Sequence, residues 1–277
     1  MKTLRKQMIQ QMELKGYSPK TIKIYISSIA QISSFYNTPA DLLIIDQIRD
    51  YIHLHITEKK RSKSWVNMNI SAIKLLFCEV LKRDWNRIDI PRQIRDNKVP
   101  VIFSRDEVQR IINSKSNIKH KAILMVTYSA GLRLGEVSNL RINDIDSSRM
   151  LIHIHQAKGN KERYTILSPV LLDLLRTYYR KYKPTEWLFE GMTRDAISHS
   201  TIQAVFKSAM YKSNIHKKAG IHSLRHSFAT HLLEQGVALP IIQNMMGHKS
   251  LRTTSGYLHV QQYSIQGVRS PLDTLSI

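Results

Sequence analysis

Cysteine is almost missing from this 277-residue chain: Cys78 is the only one. A lone thiol excludes a disulfide within the chain and any cysteine-built metal cage. Set in the apolar run "LLFCEV", it reads as a small buried side chain. Long hydrophobic runs are also absent. The most apolar stretch, around "AILMVTYSAGL", is too short and too polar to cross a bilayer. The opening "MKTLRKQMIQQM" is basic, with no apolar signal-peptide core behind it. The expectation is a cytosolic protein without a membrane partner. Acidic residues are the third scarcity, with 21 Asp+Glu against 42 Lys+Arg, a formal charge of +21 and a pI near 10.1. Self-repulsion on that scale points to a polyanion. No polybasic amphipathic helix stands apart from the folded pattern, so nucleic acid is favoured over a membrane surface. Apolar residues make up 42% of the chain, which excludes a disordered protein.

What is present is helical punctuation. Through residue 85 the chain reads as a bundle of four helices. One runs through "LRKQMIQQMELK" and stops at Gly16. A second starts at Ser18-Pro19, with Ser18 as cap and Pro19 in the first turn. Its stripe of Ile22, Tyr25, Ile26, Ile29 and Ile32 has the spacing of a buried face. Two more are expected near 46–57 and 64–81. Between them Lys59, Lys60, Arg61 and Lys63 form a basic run, either a solvated loop or a clamp on a DNA backbone. Residues 86–101 lose periodicity and carry two prolines, as an interdomain linker would. A second domain, 102–277, opens at a capping box in which Ser104 reaches forward and Glu107 back. The run "HKAILMVTYSAG" follows as a core helix, and "MLIHIHQ" and "RYTIL" alternate around "AKGNKE" as a β-hairpin. Helices then resume at "SPVLLDLLRTYYRKY", at 201–211 and at "HSLRHSFATHLLEQG". The fold class is mainly α with a small antiparallel β-sheet: an N-terminal helical bundle followed by an α+β domain.

Three basic groups sit at structural boundaries in that second domain. Arg133 opens a helix in "GLRLGEV", and Glu136, three residues on, shares its face and holds the guanidinium in one orientation. Lys158 lies at the hairpin tip. His222 and Arg225 open the "HSLRH" helix, with Ser223 as its expected cap. The amino end of a helix favours an anion, and arginine there suits a phosphate. Zinc does not fit "HSLRH", which lacks the glutamate of H-E-x-x-H and places Arg225 between its histidines. Downstream, "MMGHKSLRTTSGYLHV" supplies His248 and Tyr257. The hairpin adds Lys161 and Arg163 as candidate DNA contacts.

In this order, "GLRLGE", "KGNKER", "HSLRHSFATHLLEQG", "MGHKS" and "TTSGYLHV" resemble the tyrosine recombinases of the phage-integrase or Xer-like group. The N-terminal bundle is more loosely similar to that family's core-binding, SAM-like domain. The tail "GVRSPLDTL" is similar to the end of integron integrases, although the chain lacks their insertion between hairpin and "HSLRH" helix. The resemblance implies a site-specific recombinase in which Tyr257 attacks a scissile DNA phosphate, giving a 3′-phosphotyrosine and a free 5′-hydroxyl. It implies that Arg133 and Arg225 grip the phosphate and that His222 takes the phenolic proton. It gives His248 a hydrogen bond to the phosphate and Lys158 the protonation of the leaving oxygen. Neither metal nor cofactor is required, since the phosphotyrosine keeps the bond energy. Double-stranded DNA is the implied partner, on which a homotetramer joins two duplexes, each subunit closing round one as a C-shaped clamp. The segment after Tyr257 is expected to dock on a neighbouring subunit. His226 and His231 are left with structural duty. Two other readings use parts of the pattern: a type IB-like topoisomerase, with the same five groups on one duplex, and a non-catalytic DNA-binding regulator built on a helix-turn-helix in "ALPIIQNMMGHKSLRTTSGY".

Overall fold

Side-chain caps start most of the long helices, as the sequence predicts. In this computed structural model, which describes residues 2–84, 90–94, 99–157 and 161–247, Ser18 caps α2 (Pro19–Phe35) by accepting from the Thr21 amide at 3.2 Å. Chain contacts divide the protein into two units, residues 1–98 and 99–277.

The first unit holds α1 (Lys2–Leu14), α2, α3 (Ile45–Thr57) and α4 (Lys63–Lys74). α4 begins one residue earlier than its pattern suggests because Ser62 accepts from the Trp65 amide. It then widens into a π-helical stretch, Leu75–Val80. Met8, Met12, Ile32, Ile48, Ile52, Ile70, Ile73 and Leu76 form the fully buried core. Of the α2 stripe, Ile29 and Ile32 are buried, whereas Ile22, Tyr25 and Ile26 only lean on that core. Cys78, expected inside, is partly exposed on the π-helical stretch, and burial of the remainder raises its thiol pKa.

The second unit runs α5 (Arg105–Asn113), α6 (Ile118–Ser129), α7 (Leu134–Ser138), β1 (Ile145–Asp146), β2 (Leu151–Ala157), β3 (Lys161–Ile166), α8 (Pro169–Tyr182), α9 (His199–Lys212), α10 (His222–Glu234) and α11 (Leu239–Met246). The capping box forms as expected: Ser104 N–H donates to Glu107 at 2.8 Å and Glu107 N–H to Ser104 Oγ at 3.2 Å. α6 is the centre of the core, with Ala122, Ile123, Leu124 and Val126 wholly buried. Burial of Ile123, Leu124 and Val126 contributes roughly 1.5–3 kcal/mol each. α5, α8, α9 and α10 pack around it.

The sheet is antiparallel in the order β1-β2-β3, and β2 pairs with β3 through Ile152↔Thr165 and Ile154↔Arg163. Opposed residues share a face. The inward face therefore takes Ile152 and Ile154 from β2 but Arg163 and Thr165 from β3, leaving Tyr164 and Ile166 exposed. β3 alternates as expected but in the opposite phase. The physical cause is polar satisfaction, since Thr165 Oγ1 donates to the Ala130 carbonyl at 2.9 Å and Arg163 is fully bonded.

No helix among the described residues is long and apolar enough to cross a membrane. The expected linker, 86–101, falls partly outside the described residues, as do Lys158, His248, Tyr257, the segment after Tyr257 and the side chain of Lys161.

Candidate active site

Arg133 is the residue from which α7 starts, with extended backbone dihedrals of −76° and 156°. The turn before it bends at Gly131, whose φ of +61° L side chains rarely adopt. A Cβ added to Gly131 would also sit 2.7 Å from Phe228 Cε1. Glu136 reaches back as foreseen, accepting from the Arg133 backbone N–H at 2.7 Å and from its guanidinium at 2.7 Å.

The same carboxylate receives two further arginines. Arg163, from β3, donates both terminal nitrogens to Glu136 at 2.8 Å each, in the planar two-pronged geometry that lysine cannot offer. Arg225, from α10, brings its guanidinium to 3.6 Å. Burial alone would raise the Glu136 carboxyl pKa. The bonds and charge of Arg163, the Arg133 amide and the Arg225 charge outweigh that and hold it at about 2.

All three arginines also close the last turn of α11. Arg163 Nε donates to Met245 O at 2.8 Å, Arg225 to Met246 O, and Arg133 to Gly247 O at 2.9 Å. Arg225 donates in addition to Gly131 O. A helix leaves its final carbonyls unpaired and its carboxyl end partly negative, so three cations are well placed there. Gly247 ends the helix at φ +60°, where an added Cβ would lie 2.9 Å from Arg163 Cδ. Three guanidiniums and one carboxylate leave this centre with two positive charges. Arg133 is the member nearest solvent, its side chain 24% exposed against 4% for Arg163 and for Arg225.

His222 is the first residue of α10 and is exposed. Surrounding protein atoms, then the Arg225 and Arg133 charges, lower its pKa below 6.5, with Glu136 opposing. The ring is therefore neutral near pH 7 and able to accept a proton. Ser223 does not cap this helix: it lies buried inside the first turn, and Ile221 precedes the helix without a side-chain cap. His226 is lowered to about 4 by burial and then by His222 and Arg225. His231 stands 2.9 Å from the Tyr128 hydroxyl.

Arg163, expected to face DNA, is instead buried with Nε and both terminal nitrogens engaged inside the protein. Its inward place follows from the observed β-pairing, which sets residue 163 opposite buried Ile154. By contrast, Lys59, Lys60 and Arg61, between α3 and α4, and Lys63, the first residue of α4, are exposed, with Arg61 over the Trp65 ring at 5.6 Å from its centre.

Comparison with known proteins shows the family to which this chain is similar. Residues 102–263 match the phage integrase family, and residues 4–87 match the N-terminal SAM-like domain of phage integrases. A Sinorhizobium fredii protein named as an integrase/recombinase is 37% identical over 99% of this chain and 90% of its own. The tyrosine recombinase XerA of Pyrococcus horikoshii is 31% identical over 90% of this chain and 86% of its own. Among solved structures, a XerA recombinase crystal structure matches 97% of this chain and 99% of its own at 29% identity, with a TM-score of 0.58. A lambda integrase tetramer bound to a Holliday junction shares the fold at 18% identity, with a TM-score of 0.72 over 92% of this chain and 76% of its own.

Proposed function

The chain belongs to the phage integrase family of tyrosine recombinases, and from that membership we propose how its residues divide the reaction. It is a site-specific recombinase that breaks and rejoins DNA strands. Tyr257 is the nucleophile: its phenolic oxygen bonds to the scissile phosphorus, the bond to the 5′-oxygen breaks, and a 3′-phosphotyrosine remains. Attack by the 5′-hydroxyl of a partner strand reverses the step on a new duplex.

The observation that carries this reading is the clasp of Arg133, Arg163 and Arg225 on Glu136 and on the end of α11. His248 is the next residue of the sequence after Gly247, and Tyr257 the tenth. Negative charge grows on the non-bridging oxygens as phosphoryl transfer proceeds. Arginines held near their working positions before the substrate arrives stabilise that charge with little reorganisation. Arg133, the most exposed of the three, meets the phosphate. Arg225 joins it by exchanging its bonds to the Gly131 and Met246 carbonyls for phosphate oxygens, and Arg163 and Glu136 hold both in place. A phenol with a pKa near 10 needs help to ionise, which neutral His222 supplies as base. His248 donates a hydrogen bond to the phosphate, and Lys158, which follows Ala157 in the sequence, protonates the departing 5′-oxygen.

The first unit, through about residue 85, acts as the core-binding domain, with the 59–63 turn on the DNA backbone. Double-stranded DNA is the partner. Two duplexes exchanging strands need four active sites, so the working assembly is a homotetramer, joined through the segment after Tyr257. The setting is cytoplasmic, where the DNA lies.

The test starts from a site selected as cleaved out of a DNA library. A duplex carrying that site is nicked beside the scissile bond, so that the released fragment diffuses away. The wild type becomes covalently joined to the 3′ end, and Tyr257→Phe does not. An adduct that survives Tyr257→Phe overturns the assignment.

A further inference from the structure

We propose that Asp144, His153 and His155 form a binding site for a divalent transition-metal cation of the zinc class, on a cleft that Arg133 also borders. His153 and His155 lie two residues apart on β2 and therefore share its outer face, opposite buried Ile152 and Ile154. Their ring centres are 4.0 Å apart. Asp144 ends the short 3-10 turn at 142–144 and is buried. Its Oδ2 is held by the Arg141 backbone N–H at 2.8 Å, and its Oδ1 lies 2.8 Å from His155 Nε2. One ligand atom from each of the three residues falls within 4.8 Å of the others. Zinc bonds of about 2.0–2.2 Å put tetrahedral ligands roughly 3.4 Å apart, so a turn of the exposed His155 ring closes the set.

Two further features suit a cation. Glu162 sets its carboxylate 3.2 Å from His153 Nε2 and 3.6 Å from His155 Nδ1, as outer carboxylates orient metal-binding imidazoles. His153 is also stacked on Tyr164 at 4.6 Å, which fixes its plane. The residues open on a cleft of about 540 Å³, giving a fourth position to water. Two arginines border that cleft, and each has a carboxylate beside it: Arg133 is bonded to Glu136, and Arg141 lies 3.6 Å from Glu186 and over the Trp187 ring. Asp144 and Glu162 thus bring two carboxylates to the two imidazoles. The chemistry of strand cleavage does not pass through it. A bound cation would tie the base of the β2–β3 hairpin to the turn after α7.

The test titrates Zn²⁺ and Co²⁺ into the full chain without chelators. One equivalent of either metal binds at micromolar concentration or tighter, and Co²⁺ shows the intense visible bands of tetrahedral coordination. Together, His153→Gln and His155→Gln abolish that equivalent, and Glu162→Gln weakens it about tenfold. His216→Gln, at an exposed position elsewhere, changes nothing. Should the double variant fold poorly, ring resonances of the wild type decide: Zn²⁺ shifts His153 and His155 among the twelve histidines. Absence of a stoichiometric equivalent, binding that survives the double variant, or shifts confined to other histidines overturns the proposal.

Discussion

Two basic regions of this protein look alike in composition and differ in construction. Around Glu136, three arginines from α7, β3 and α10 meet one buried carboxylate and the end of one helix. At 59–63, four basic side chains stand exposed in a turn. The first is held by a network in which each guanidinium has fixed partners. The second, in its proposed role on the DNA backbone, is an electrostatic surface whose strength would depend on salt and on the number of phosphates it neutralises. Local charge density does not distinguish a site that orients a phosphate from one that merely attracts it. Burial and fixed hydrogen-bond partners do.

The largest break in that contrast is Glu136→Ala. It leaves three guanidiniums without their carboxylate, which costs about 3–5 kcal/mol. Thermal unfolding of the full chain should fall by on the order of 10 °C. A change under one or two degrees would show that the network is not what holds the arginines. Acid acts on the same group more gently. Glu136 is depressed from 4.5 to about 2, so its stabilisation is complete above its unfolded value. Roughly 3 kcal/mol is lost as pH falls from about 4.5 through 2. In Glu136→Gln the acid limb should flatten over that window, as measured by denaturant midpoints.

Gly131→Ala comes next. A methyl at φ +61° and 2.7 Å from Phe228 Cε1 must displace that ring, at a cost of roughly 2–3 kcal/mol in unfolding free energy. An unchanged midpoint would mean that the turn before Arg133 relaxes freely. The smallest effect belongs to the 59–63 turn. Lys59→Ala or Lys60→Ala should leave stability within about 0.5 kcal/mol. Each should weaken DNA binding only a few-fold and lower the salt slope by about 0.9 for every phosphate no longer neutralised. A hundredfold weakening from one of them would move that turn into the class of built sites.

The residues that state their own local role were legible in the sequence. Ser18-Pro19, Ser104 with Glu107, and Arg133 with Glu136 each act within three or four positions, and each pair behaves as its spacing predicts. Most helix boundaries followed the same logic; the start of α10 and the π-helical widening after Lys74 did not. Arg163 was not legible because its partner lies 27 residues away and its strand faces inward with polar side chains. Alternation gives the period of a strand and not its phase. Ser223 failed as a cap for the opposite reason. Buried neighbours of α10 set where that helix begins, so that Ser223 falls inside it. The pair His153 and His155 was visible as "HIH", but its third member, Asp144, is brought close only by β1 pairing with β2.

In the proposed division of the reaction, Arg133 neutralises charge on the scissile phosphate while Arg163 only holds the frame. The direct measurement is the rate of covalent attachment on two nicked duplexes, one with an ordinary scissile phosphate and one with an uncharged methylphosphonate in its place. Arg133→Ala should be severely slowed on the phosphate and far less so on the neutral linkage, whereas Arg163→Lys should be slowed alike on both. Equal impairment of Arg133→Ala on the two substrates would contradict the account.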